Sequence, residues 1–350
     1  MKQLIQKLTE TFSPSGYESV IRDVIRAEVK PLADEIRVDA LGNLIVRKGA
    51  TLPAPVPQVQ VGASKGPSKP GKNAKKIMIA AHMDEIGIIA THIDENGFVR
   101  FGGIGGVYPR NLPGGRVRFA NGSSGIIGLE PTDKATESQP LEKCYIDVGA
   151  SSNKNHPVKI GDVASFERPF IEMGDRLVAK SMDDRIGCAV AIEALRALKS
   201  TPHEVYFVFT TQEEVGTRGA ETSAYGIDPD LGFSIDVTGW GDTPGQKHFE
   251  MFLGKGPAIK IKDGGMLADS RIIDWMVRIA EKAKLPYQRE VLLGGSTDAR
   301  AMQLVRAGVP VGCISIPCRY VHSPSEMVDY NDVQNAVKLI VAMLSNPVEL

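Results

Sequence analysis

The stretch that decides the fold is residues 77–85, IMIAAHMDE. Five apolar residues stand in a row, and His82, Asp84 and Glu85 follow almost at once. A short continuous apolar run is typical of a strand buried on both faces, as in a parallel sheet. We therefore predict a buried strand over 77–81 with polar side chains at its carboxyl end.

The pattern around this strand predicts the fold class. Three similar apolar runs follow, at 205–209, 231–235 and 311–316. Segments with helical spacing lie among them, over 186–198, 270–283 and 333–344. Strands that alternate with helices predict an α/β fold, here a three-layer sandwich with a mainly parallel sheet.

Between residues 92 and 177 the pattern changes to short segments with glycine-rich turns. The pairs 96–97 and 121–122 are both Asn-Gly, which accepts the positive φ of a hairpin turn. We predict that 92–177 is an inserted small antiparallel β-barrel-like domain. Residues 1–91 and 178–350 would form the other domain. Within it, the Pro- and Lys-rich segment 50–76 predicts a mobile surface loop, with an electrostatic arm as the alternative.

Composition and charge exclude several classes of protein. Of 350 residues, 42% are hydrophobic and 24% charged, as in an ordinary globular protein. Lys and Arg number 41 against 42 Asp and Glu, so no net basic charge attracts nucleic acid or anionic lipid. The sequence has no apolar run of transmembrane length, no secretory pattern near its start, and no disulfide-like spacing of its four cysteines. We expect a cytoplasmic protein without nucleic-acid or membrane partners.

Acids and histidines recur where the predicted strands end and where one helix begins. They are His82, Asp84, Asp183, Glu213, Glu214, Asp236 and His322. Open α/β sheets bind ligands beyond the carboxyl ends of their strands, so these side chains can converge on one edge. Each has an ordinary explanation by itself; Asp183, for example, suits a helix N-cap. Together, a carboxylate cluster without counter-charge would repel itself.

Two divalent metal ions would remove this repulsion. If Asp183, Glu214 and Asp236 are ligands together with the two histidines, one carboxylate can bridge the ions. Imidazole with carboxylate suits zinc, cobalt or manganese better than magnesium or calcium. Glu213 would then stay free to act as a general base. Asp84, two residues beyond the first histidine, would orient that imidazole.

Seven stretches, in the same order along the chain, resemble those of a known family. They are 13–18, 81–87, 181–187, 212–216, 234–238, 294–299 and 319–324. On these stretches the chain resembles the tetrahedral (TET-type) and glutamyl or deblocking aminopeptidases, which are dinuclear metallopeptidases. Some members of that family carry endoglucanase or cellulase names.

The resemblance implies a role for each candidate ligand. His82 and Asp236 would bind one ion, Glu214 and His322 the other, and Asp183 would bridge them. The ions would be zinc or cobalt, and peptides would lose their N-terminal residues.

The resemblance also implies that Glu213 is the catalytic base, with Asp84 behind the first histidine. It further implies that the inserted β-rich region is a dimerisation domain, whose dimers assemble into a hollow tetrahedral dodecamer.

Two other functions remain open on the residues alone. A glycosidase would use Glu213 and Glu214 as its carboxylate pair, although neighbouring residues of a strand point to opposite faces. A metal-binding scaffold would not need an unligated Glu213. Segment 294–298 is either a substrate-side loop, where glycines permit close backbone approach, or an ordinary turn before a helix.

Overall fold

The computed structural model describes residues 1–50, 74–131, 139–246 and 249–350. Most of the predicted loop at 50–76 lies outside the described residues. Within them the chain forms seven α-helices and seventeen strands. The helices are α1 Lys2–Glu10, α2 Ser19–Val29, α3 Met182–Ala197, α4 Arg218–Ile227, α5 Ser270–Lys282, α6 Asp298–Gln303 and α7 Tyr330–Leu344.

The strands fall into a large sheet and a barrel. Those of the sheet are β1 Glu35–Val38, β2 Leu44–Lys48, β3 Lys76–His82, β10 Ile171–Met173, β11 Arg176–Ala179, β12 Glu204–Thr210, β13 Leu231–Thr238, β14 Ala258–Lys262, β15 Gln288–Val291, β16 Val311–Arg319 and β17 Glu326–Asp329. Those of the barrel are β4 Gly87–Ile93, β5 Val99–Ile104, β6 Arg116–Phe119, β7 Ser124–Leu129, β8 Cys144–Asp147 and β9 Val163–Phe166.

The four central strands of the large sheet are parallel, in the order β12-β3-β13-β16. Antiparallel strands extend the sheet on both sides of this core. β3, β13 and β16 are buried over nearly their whole length. Their continuous apolar runs are explained by helices on both faces of the sheet.

The helices complete the three layers. On one face α3 packs against α1, α2 and α7, and on the other α4 packs against α6. α3 is buried along most of its length because it lies between the sheet and other helices. None of the helices in the described ranges has the length and apolar character that a membrane crossing requires.

The barrel closes in the order β4-β5-β8-β7-β6-β9. Both predicted Asn-Gly turns join antiparallel strands, and Gly97 and Gly122 have positive φ. β6 alternates between exposed and buried residues, so Val117 and Phe119 point into a core separate from that of the sheet. The predicted fold class, an α/β sandwich with a mainly parallel core and an antiparallel barrel, is confirmed. The predicted domain limits at 92 and 177 stay a prediction.

A short buried connection joins the sheet to the barrel. Four residues separate the end of β3 from the start of β4, and Glu85 among them is 1% exposed. Its carboxylate accepts the Ser13 N–H at 2.8 Å and pairs with Lys180 Nζ at 2.5 Å, and the Arg185 guanidinium lies 3.7 Å away. This contact holds the barrel close to the edge of the sheet where β3 ends.

Candidate metal centre

The candidate ligands come from one edge of the large sheet. His82 is the last residue of β3, and Asp236 lies near the end of the adjacent parallel strand β13. Asp183 lies at the start of α3, Glu214 follows β12, and His322 lies between β16 and β17. Parallel strands present their carboxyl ends at the same edge, which explains why distant parts of the chain meet here.

The first group of candidate ligands combines His82, Asp183 and Asp236, whose ligand atoms all lie within 4.8 Å of one another. His82 Nε2 is 3.0 Å from Asp183 Oδ1 and 3.9 Å from Asp236 Oδ1. All three residues are buried. Because His82 and Asp236 belong to strands, we call these two residues the strand half.

The second group combines Asp183, Glu214 and His322. His322 Nε2 is 3.2 Å from both Asp183 Oδ2 and Glu214 Oε2. We call Glu214 and His322 the loop half, since both lie in connections between elements. Asp183 belongs to both groups and presents one carboxylate oxygen to each imidazole.

The donor set fits divalent metal ions. Glu214 Oε1 is buried and has no hydrogen-bond partner among the described residues. Burial raises the pKa of Asp236 well above its usual value, and the Asp183 carboxylate raises it further. Buried oxygens with too little positive charge around them are what a bound dication would compensate. The cluster can therefore hold metal, and its imidazole and carboxylate donors suit zinc, cobalt or manganese.

Glu213 and Asp84 lie beside the ligand groups without belonging to either. Glu213 lines the cavity, with Oε2 3.9 Å from His82 Nε2, and burial raises the pKa of its carboxyl well above the usual value. Asp84 is fully buried; His82 Nδ1 is 3.2 Å from its backbone carbonyl oxygen and 3.5 Å from its Oδ1. The Asp84 carboxylate accepts the N–H groups of Glu213 and Glu214, at 3.0 and 3.2 Å, and the Ser15 hydroxyl at 2.6 Å. Asp84 thus orients an imidazole and also fixes the turn that carries two further acids.

Sequence reasoning missed two buried groups near the centre. Glu326 accepts the backbone N–H groups of Asp183 and His322. Lys260 lines the cavity while 1% exposed and pairs with Glu290 at 2.5 Å. A lysine inside an apolar strand signals a buried partner, so Lys260 could have been noticed. No signal identifies Glu326, because its contacts are with backbone atoms.

A loop of the barrel reaches the cluster through glycines. A Cβ at Gly106 would lie 2.4 Å from His322 Nδ1, and one at Gly105 would lie 3.0 Å from Glu214 Cβ. Gly105 also has a positive φ of 76°. The run at 102–106 therefore lets the barrel backbone approach the loop half.

The cavity over the cluster has a volume of about 540 Å³. Trp240 and Leu292 contribute to its wall, together with Gly295 and Ser296 from segment 294–298. Thr297 in the same segment caps α6 with its side chain. The two interpretations of this segment are compatible, since it is both the entry to a helix and a wall of the cavity.

Comparison with known proteins identifies the family of the chain. The family model for M42 glutamyl aminopeptidases matches residues 66–339. A putative aminopeptidase of Acetivibrio thermocellus is 44% identical over 344 residues, which cover 97% of each chain. The aminopeptidase APDkam598 of the archaeon Desulfurococcus kamchatkensis superposes with a TM-score of 0.90 at 41% identity, covering 99% of this chain and 94% of that one.

A third relative can assemble into larger particles. The TET1 peptidase of Pyrococcus horikoshii, which can assemble into a tetrahedron or a large octahedral shell, has a TM-score of 0.83 at 33% identity over 98% of each chain. The resemblance noted from the sequence motifs is thereby confirmed. With a cluster at the sheet edge that could hold metal, the chain belongs to the M42 family of aminopeptidases, which are peptide hydrolases.

Proposed function

We propose that this protein is a cocatalytic aminopeptidase that holds two divalent ions, zinc or cobalt, and removes N-terminal residues from peptides. His82 and Asp236 would hold one ion, Glu214 and His322 the other, and Asp183 both. The observation that carries the proposal is the position of Asp183, whose two oxygens lie 3.0 and 3.2 Å from separate imidazoles. A carboxylate in this position suits a site for paired metal ions.

The chain's own side chains would handle the protons. When bound, the ions would polarise the scissile carbonyl and make water more acidic. Glu213 takes a proton as the water oxygen bonds to the carbonyl carbon, and returns it to the nitrogen as the C–N bond breaks, so that the amine leaves neutral. Asp84 holds Glu213 in place through the backbone hydrogen bond at 3.0 Å.

The cavity wall bears on the choice of N-terminal side chain. Among the described residues that line it, the charged side chains outside the acidic cluster are Arg110, Lys260 and Arg300. Lys260 is paired with Glu290, but Arg110 and Arg300 are also cationic, so we expect acidic and neutral N-terminal residues to be cleaved faster than lysine.

The test is Glu213→Gln, assayed on a panel of aminoacyl-p-nitroanilides. We expect hydrolysis to fall about 10²–10⁴-fold, the usual contribution of a general base, with metal content unchanged. Glu221→Gln is the matched control, since Glu221 lies on α4 and is exposed. Wild-type activity should disappear on chelation and return with zinc or cobalt.

Other outcomes would contradict the proposal in distinct ways. Full activity of Glu213→Gln would exclude Glu213 as the base. Cleavage of chitosan or cellulose oligomers without aminoacyl turnover would favour the glycosidase. Two bound ions without turnover of either substrate class would favour the scaffold.

The proposal extends to assembly and location. Residues 92–177 would form a dimerisation domain, and dimers would build a hollow tetrahedral dodecamer that admits short or unfolded peptides. Ile126 and Ile160 in this region are 56% and 68% exposed, and contact with a second copy would bury these apolar side chains. Mass photometry should show twelve copies, and a stable monomer would contradict this.

A cytoplasmic location agrees with the four cysteines, which are all described, buried and unpaired.

A further inference from the structure

One buried carboxylate contacts the backbone of two candidate ligands. Glu326 is 1% exposed and is the first residue of β17. Its Oε2 accepts the N–H of Asp183 at 2.9 Å, and its Oε1 accepts the N–H of His322 at 2.7 Å. β17 lies between β11, which leads into α3, and β16, which precedes the loop of His322. Glu326 therefore connects the residue common to both ligand groups with the imidazole of the loop half.

His322 needs such a contact more than His82 does. Its φ is 60°, a left-handed conformation that is unfavourable for a residue with a Cβ. Its side chain is 22% exposed against 2% for His82, so close packing fixes its ring less firmly. On the strand half, Asp84 contacts the imidazole directly, through its backbone oxygen at 3.2 Å and its Oδ1 at 3.5 Å. On the loop half, the buried carboxylate acts on the backbone instead.

We propose that Glu326 is a positioning residue of the loop half, a single carboxylate that keeps Asp183 Oδ2 and His322 Nε2 close enough, at 3.2 Å, to share an ion. The inference rests on the proposed function, because it requires an ion at the loop half. A merely structural carboxylate would satisfy the two N–H groups and stabilise the fold without affecting metal affinity.

The test is a zinc titration of the metal-free full chain against a competing chelator. Glu326→Gln keeps the side-chain size but offers one carbonyl oxygen, so one of the two N–H groups loses its acceptor. We expect one of the two zinc-binding steps to lose about 10–100-fold in affinity, as is typical for a residue that orients a ligand. The other step should stay unchanged, and excess zinc should restore kcat. Glu326→Asp, which keeps the charge but shortens the reach, should act in the same direction and serves if the first variant does not fold.

The chain offers a matched control in Asp332→Asn. Asp332 is also buried, and its carboxylate also accepts two backbone N–H groups, from Gly254 and Gly256, both at 2.7 Å. That segment carries no candidate ligand. Asp332→Asn should lower the melting temperature about as much as Glu326→Gln does, and should leave both zinc-binding steps as in the wild type.

Each outcome decides the matter. If both variants change the zinc-binding steps alike, or neither does, Glu326 is structural and the proposal is wrong. If the wild type binds a single zinc ion per chain, the two-ion proposal fails. The positioning role then stands only if Glu326→Gln weakens that binding and Asp332→Asn does not.

Discussion

The two halves of the metal centre are held in different ways. In the strand half, His82 and Asp236 belong to adjacent parallel strands and are 2% and 5% exposed. In the loop half, Glu214 and His322 lie in connections between elements, and His322 has a left-handed backbone conformation. The sheet's own hydrogen bonds position the strand half, whereas side-chain contacts to backbone groups position the loop half. We therefore expect the loop half to be the more sensitive to substitutions around it.

Replacement of the residue common to both halves should have the largest effect. Asp183→Asn removes the charge that faces both imidazoles. Both ions should be lost, and kcat/KM should fall by more than the about 10–100-fold typical of outer partners. Metal analysis measures the number of bound ions, and a peptide hydrolysis assay measures kcat/KM. Asp184→Asn is the control, because the Asp184 carboxylate accepts the Gly187 N–H and lies outside both ligand groups. Retention of two ions by Asp183→Asn would mean that the halves are independent.

The second largest effect concerns a buried ion pair beside the strand half, in which Glu290 pairs with Lys260 and also accepts the Thr238 hydroxyl of β13 at 2.6 Å. Lys260→Met leaves Glu290 buried without its cation, at a site where the two are 1% and 0% exposed. The free energy of unfolding should fall by about 3–5 kcal/mol. The double variant Lys260→Met/Glu290→Met should recover most of this loss, because neither charge is left alone. Chemical denaturation of the three proteins gives the comparison. A single variant as stable as the wild type would show that the pair does not support β14.

The smallest effect is expected for Gly106→Ala, which tests the contact between the barrel and the loop half. In Gly106→Ala the added methyl group would lie 2.4 Å from His322 Nδ1, so the loop or the ring must move. Such overpacking costs about 1–3 kcal/mol. We expect about tenfold weaker zinc binding at the loop half alone, since 1.4 kcal/mol corresponds to one factor of ten.

Gly226→Ala is the matched control for this substitution. A Cβ at Gly226 meets no described atom within 4 Å, and the residue lies in α4. Alanine there should stabilise the helix by about 0.5–1 kcal/mol and leave zinc binding unchanged. Equal effects of the two alanines on zinc binding would mean that the barrel loop does not constrain His322.

The strand half was open to prediction because its signal is local. One apolar run is followed by His82 and another by Asp236, which places both residues at one sheet edge. The two Asn-Gly turns predict the barrel hairpins in the same way, since each signal lies within a few residues of the feature.

The loop half was less accessible to sequence reasoning. The pattern predicted Glu214 and His322 at the same sheet edge, but loop geometry sets where they meet. Their assignment to one ion, like that of His82 and Asp236 to the other, came from the family resemblance. Glu326 stayed hidden because its partners are main-chain N–H groups, which every residue other than proline carries. The catalytic and ligand roles of all these residues remain proposals that the variants above test.

The buried connection at Glu85 has a mechanical consequence. A hinge that moved Glu85 together with the barrel would have to separate it from Lys180, its partner in a buried ion pair. It would also take the same carboxylate away from the Ser13 N–H and the Arg185 guanidinium. We therefore expect the sheet and the barrel to move as one unit at this connection, and the rate of peptide entry to depend on the mouth of the cavity and the loops around it.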